Sequence, residues 1–139
     1  MRGKRLKFEG FTLIELLVVI AIIGILSLIV FTNINTVRNR AKDAGIIANM
    51  NSLKLVGEIY LEEHGNYGAF CNDSRVETIF DAISSPKKYK YCHHDSDQWA
   101  VCAQLNIPED RSKAWCLDST GTKKQINQSD CVASITFCL

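Results

Sequence analysis

The densest run of groups that could hold a metal is Cys92-His93-His94-Asp95. A zinc site needs several such ligands aimed at one point. Neighbours along a strand point to opposite faces, so this run offers only part of a site. No second ligand pair stands at the usual spacing, so no metal and no other cofactor is expected. The six cysteines are Cys71, Cys92, Cys102, Cys116, Cys131 and Cys138, and none forms a C-x-x-C pair. An even count in a small exported domain reads as disulfides, which require an oxidising space outside the cytoplasm. A cysteine committed to a disulfide cannot act as a thiolate nucleophile. No G-x-S-x-G occurs either, so no catalytic residue is expected and the chain does not read as an enzyme.

The stretch Lys87–His94, KKYKYCHH, mixes basic and aromatic residues as single-strand nucleic-acid surfaces do. Period-two alternation instead faces Lys88 and Lys90 outward, where they guard a sheet edge, and turns Tyr89 and Tyr91 inward. Stacking on bases needs exposed rings, so this pattern argues against DNA contact. Asn72-Asp73-Ser74 and Asn127-Gln128-Ser129 fit the glycosylation pattern, which recurs by chance. Spacing suggests a disulfide scheme. Cys102 and Cys116 flank a turn region, Asn106–Ser112, and would lie opposite each other in a hairpin. Cys131 and Cys138 are close in sequence, which leaves Cys71 to pair with Cys92.

One further carboxylate stands out by its surroundings. Glu15 is the only charge in an otherwise apolar run from Phe11 to Phe31. As a helix, that run covers roughly the 30 Å hydrocarbon thickness of a bilayer. Arg2, Lys4, Arg5 and Lys7 precede it, which keeps that end in the cytoplasm and sends the rest across. A cleaved secretory signal would have a shorter apolar core followed by small residues, whereas TNINTVRNR follows here. A plain anchor accounts for the length but not for Glu15, because a charge inside an apolar span normally has a partner and a role.

Lys-Phe-Glu-Gly-Phe-Thr-Leu-Ile-Glu-Leu, from Lys7 to Leu16, resembles the class III signal of type IV pilins and of the pseudopilins of type II secretion and competence machines. The resemblance joins a short basic leader, Gly10, Phe11, Glu15 and an apolar helix. It implies that a prepilin peptidase cuts between Gly10 and Phe11 and then methylates the new amino terminus of Phe11. It implies that Glu15 meets the amino terminus of a neighbouring subunit during assembly. It also implies a membrane platform for assembly, lipid around the precursor, and a homo- or hetero-oligomeric filament as the product.

The elements that would carry these groups can be read in order. No proline occurs before Pro86, so the helix can run on past the membrane, over 11–64, with 11–31 in the membrane or filament core. Asn51, Lys54, Glu58 and Glu62 form one polar stripe. Ile46, Met50, Leu53, Tyr60 and Leu61 fall on one side of it and Ala48, Leu55 and Ile59 on the other. A helix apolar on both sides of a narrow stripe is buried twice, once by its own domain and once by neighbouring subunits. Gly65 suits the C-cap. Gly65-Asn66-Tyr67 resembles the family's helix end, with Gly68 where proline is common. Ser74-Arg75-Val76-Glu77 is a capping box opening a helix over about 74–84. Trp99, Val101, Ala103 and Leu105 share one strand face, as do Trp115 and Leu117, and Asp118–Gly121 is a turn.

The expected fold is therefore α+β. A leader, 1–10, precedes a long helix, transmembrane then amphipathic, packed on a small antiparallel disulfide-bonded sheet in a head over 65–139. The formal charge of +1 becomes slightly negative without the leader, which does not suit a general nucleic-acid binder. The reading is a structural subunit of a type IV pilus-type filament, held first in the cytoplasmic membrane and later at the cell surface. A pseudopilin of a secretion or competence machine is the alternative. A membrane-anchored extracytoplasmic binding domain is the second, separable from the others by the absence of cleavage and N-methylation.

Overall fold

A computed structural model describes residues 10–85, 89–108 and 111–138, without the side chains of 31–33. Two compact units divide at Asn35–Thr36, and helix α1, Leu13–His64, begins in the first and ends in the second. In the first unit, Leu13–Val30 is long and apolar enough to cross a membrane. Its side chains are exposed, including Leu17, Ile20, Ile25 and Leu28. None of the described residues of this unit covers them, so water is the wrong solvent for this stretch.

The second unit is a four-stranded antiparallel meander in the order β1 (Lys90–His94), β2 (Trp99–Gln104), β3 (Lys113–Asp118) and β4 (Lys123–Asn127). Residues 95–98 and 119–122 turn β1 into β2 and β3 into β4, and the longer loop 105–112 joins β2 to β3, so neighbours in sequence are neighbours in the sheet. On one face, Trp99, Val101, Ala103, Leu105 and Leu117 pack against Ile46, Met50, Leu53 and Tyr60 of α1. Of the two apolar sides of the helix, this is the one its own sheet buries, and Leu55 and Ile59 on the other stay exposed at 66% and 39%.

Trp99 anchors this layer. It stacks on Phe70 at 4.6 Å and meets Tyr67 edge-on, and its ring presses against α1 at Gly57. α1 ends at Gly65, whose φ of 72° lies in the left-handed region and whose N–H still donates to Leu61 O at 2.7 Å. Helix α2, Ser74–Ala82, then contributes Val76, and Ile83 follows it into the same core. Its N-cap is Asp73 rather than Ser74: the Asp73 carboxylate accepts from Arg75 N–H at 2.9 Å. Asp73 accepts the Arg75 side chain as well, and that charge-assisted bond pulls its pKa down to about 2.

A second apolar layer covers the other sheet face. Ala100, Cys102, Ala114, Cys116 and Ile126 pack there against Cys131, Ile135 and Cys138 of the C-terminal tail. Tyr91 packs on this layer, so it does face inward, but away from α1. Lys90 corrects the alternation expected of β1. It is buried rather than outward, donating to Phe80 O at 2.6 Å, with its Nζ 4.9 Å from the Phe80 ring and 3.8 Å from Asp81. Because both faces are covered, a lysine opposite an inward tyrosine is itself inward. Lys88 lies outside the described residues.

Candidate assembly site at the start of the helix

Thr12 and Glu15 close the beginning of α1. Thr12 N–H and Thr12 Oγ1 both donate to Glu15 Oε2, at 2.9 and 2.8 Å, and Glu15 N–H points back at Thr12 Oγ1 at 3.3 Å. Leu16 N–H makes the first intrahelical bond to Thr12 O at 3.3 Å. This is a capping box: threonine at the cap and glutamate three residues on satisfy each other's end donors. It explains why the helix begins at Leu13 and not at Phe11. Thr12-x-x-Glu15 was visible in the sequence, but the apolar surroundings of Glu15 drew attention away from its local partner.

The rest of the site follows from this geometry. Gly10 and Phe11 precede the cap, outside the helix, and both are exposed. A Cβ placed on Gly10 would meet nothing within 4 Å, so no other described residue packs against Gly10 there. Glu15 lies in a shallow apolar concavity with Phe11, Ile14, Val18 and Val19. Only its Oε2 is engaged among the described residues; Oε1 has no partner there. The carboxylate therefore holds its own helix end and still presents an oxygen and a negative charge.

All six cysteines are paired, as Cys71–Cys92, Cys102–Cys131 and Cys116–Cys138. The first pair agrees with the spacing argument. The other two correct it. Cys102 and Cys116 are indeed register partners across β2 and β3. They point at the second face, however, where the tail lies over them, so each bonds to the tail instead of to the other. The Cα atoms are 5.6 Å apart in both bridges, within the ordinary disulfide range. The tail also hands Cys138 N–H to the buried Asp118 carboxylate at 3.0 Å. That carboxylate is held in the β3–β4 turn by Thr120 and Thr122.

The remaining candidates for chemistry are accounted for locally. Cys92 is committed to its bridge, and His93 and His94 are half-buried in β1. Among the described residues no three His, Cys, Asp or Glu groups converge as a metal site. Asp43, which sequence reasoning missed, is buried on α1. It accepts from Asn106 N–H at 2.6 Å, Asn106 Nδ2 at 2.9 Å and Ile107 N–H at 2.8 Å, fastening the β2–β3 loop to the helix. A lone acidic residue on an otherwise apolar helix side was the available signal.

Comparison with known proteins concentrates on the helix. The family described as the prokaryotic N-terminal methylation motif matches residues 5–31. The type IV wide pilus major component PilA4 of Thermus thermophilus is 42% identical over 59 residues, covering 42% of this chain and 45% of that protein. The type IV major pilin protein PilA of Myxococcus xanthus is 38% identical over 65 residues, covering 47% of this chain and 30% of that protein. The matches thus span less than half the length of these curated relatives. No solved structure matches the chain. Motif and relatives together make the N-terminal helix of this chain similar to that of type IV pilins.

Proposed function

We propose that the chain is a structural subunit of a type IV pilus-type filament and performs no catalysis itself. The observation that carries this is the helix start. A methylation-motif match covers an exposed Gly10–Phe11 peptide, a capped Glu15 with one free oxygen, and an uncovered apolar helix. The precursor sits in the cytoplasmic membrane with residues 1–10 inside as a leader and the head outside. A prepilin peptidase removes the leader after Gly10 and methylates Phe11. A membrane platform then moves the subunit from lipid into the filament, where residues 11–31 exchange lipid for neighbouring helices. The driving force for that exchange is packing and paired charge, since lipid is already apolar.

Cleavage creates a cationic amine at Phe11. With the leader gone, the helix extends to Phe11 in the filament, which puts Phe11 and Glu15 about 6 Å apart along its axis. A neighbour displaced by that distance brings its amine level with the free Oε1 of this Glu15. Pairing offsets the burial cost of both charges, while a displaced neighbour leaves both unpaired. Glu15 then has two tasks, the cap within the chain and the register between chains.

Intact mass and N-terminal sequencing of the protein from its host test the processing step. They should show a chain starting at N-methyl-Phe11, in sheared filaments as well as in membranes. A protein that keeps Met1 and never leaves the membrane refutes the proposal.

A further inference from the structure

The part of α1 in the second unit has one face that its own sheet does not cover. Val37, Leu55 and Ile59 stand exposed on it at 61%, 66% and 39%, with Ala41, Ala44 and Ala48 between them. At about 100° per residue these positions fall on one side of the helix. The charges beside this face are sorted by height. Arg40 stands near its lower end and Glu62 near its upper end. Both are exposed, and neither has a hydrogen bond or ion pair among the described residues. They are 22 residues apart, so they lie within about 40° of each other around the axis and roughly 33 Å apart along it. Glu58, on the same flank, is already paired with Lys54.

An apolar helix face with opposite free charges at its two ends suits a second copy of the same face, provided the two are offset. Subunits drawn from one membrane run parallel. In register, such copies would set Arg40 against Arg40 and Glu62 against Glu62. Displaced by about one Arg40–Glu62 distance, the upper end of one face meets the lower end of the other, and opposite charges come together at that junction, where ion pairs select partner and register.

Resting on the subunit reading above, we propose that Arg40 of one copy pairs with Glu62 of another in the filament, fixing an axial offset of roughly 33 Å between those two copies. A helical array gives each subunit several kinds of neighbour. This offset and the Phe11–Glu15 offset of about 6 Å therefore belong to different pairs.

Charge reversal in the full-length chain, in its host, tests the pairing. Each of Arg40→Glu and Glu62→Arg removes an attraction and adds a repulsion. For exposed pairs this should lower the ratio of sheared filament to processed membrane pool about 2- to 30-fold. The double variant Arg40→Glu/Glu62→Arg should recover most of that loss. In filaments of Arg40→Lys, a zero-length carbodiimide should join position 40 of one copy to Glu62 of another. Single variants that assemble like the unaltered chain, or a double variant no better than the singles, would overturn the pairing. So would cross-links from position 40 to other carboxylates only. The unaltered chain separates the two readings. If it forms no filament, the subunit reading falls and takes the pairing with it. If it forms filaments and the reversals do too, only the pairing falls.

Discussion

Two glycines within α1 should respond to alanine with opposite signs. In the interior of a helix, replacing Gly by Ala normally stabilises by about 1 kcal/mol, because alanine has less backbone freedom to lose. At Gly45 nothing lies within 4 Å of the new Cβ, so that gain should appear nearly in full, about 0.5–1 kcal/mol. At Gly57 the new Cβ would sit 2.8 Å from Trp99 Cζ2 and 2.9 Å from its Nε1. Trp99 is 1% exposed and stacked on Phe70, so the ring has no direction in which to yield. Overpacking of this kind costs about 1–3 kcal/mol, and a rigid ring puts the cost at the upper end. Gly57→Ala should thus be destabilising by about 1–2 kcal/mol net, despite its better helix propensity. Urea unfolding of the disulfide-intact full-length chain in mild detergent, followed by tryptophan fluorescence, reads both variants on one scale. The midpoints should move apart with similar slopes. If both variants stabilise, Trp99 does not lock against the helix and the account of this core is wrong.

Other consequences can be checked separately. Glu15→Gln keeps an acceptor for Thr12 but loses the charge, whereas Glu15→Ala loses both; both should be inserted and cut after Gly10 yet enter filaments poorly. Normal filament yield from Glu15→Gln would show that capping alone suffices. Non-reducing peptide mapping should find Cys102 joined to Cys131 and Cys116 to Cys138. Removing the first bridge with Cys102→Ser and Cys131→Ser should cost about 3–4 kcal/mol in the same unfolding assay. Asp43→Ala strands the Asn106 and Ile107 N–H groups in a partly buried place and should cost about 2–4 kcal/mol, measured by urea midpoint. The Asp73 carboxyl titrates at about 2 when folded, below its ordinary value of 3.8. Its bond to Arg75 therefore stabilises above that ordinary range and is lost as pH falls through about 2. Arg75 is 39% exposed, so solvent screens the pair, and Arg75→Ala should lower the urea midpoint only modestly at pH 6 and least once the pH falls below about 2.

Much of this architecture was legible because it rests on local periodicity. The side of α1 carrying Ile46, Met50, Leu53 and Tyr60, the stop at Gly65 and the shared face of Trp99, Val101 and Ala103 all follow from spacing alone. What escaped was the second covered face of the sheet. Strand β2 reads Trp-Ala-Val-Cys-Ala-Gln and is buried throughout. Large residues face α1, while the small Ala100, Cys102, Ala114 and Cys116 leave room for a tail. Alternation of size carried the information that alternation of polarity did not. Once the tail is placed there, the bridges of Cys102 and Cys116 and the burial of Lys90 follow. The cap at Asp73 depended on which of two adjacent good capping residues takes the extended backbone, which the sequence alone does not decide. At the helix start, the motif residues were plain in the sequence, but the bond from Thr12 to Glu15 needed three-dimensional geometry.

The stapled tail also determines how the head can answer a pull. Between the end of α1 and Cys138 the backbone, fully drawn out, would span roughly 260 Å. Tension can instead pass from the helix exit to Cys71, across to Cys92, along β1 and β2 to Cys102, and across to Cys131. That covalent short cut leaves only about a third of the residues in the load path, roughly 80 Å of reach. Unravelling the sheet adds little length, because the segments between paired cysteines are slack loops that carry no load. A head built this way is close to inextensible even when its hydrogen bonds fail, and reduction of its disulfides would turn the same domain into a long, soft tether.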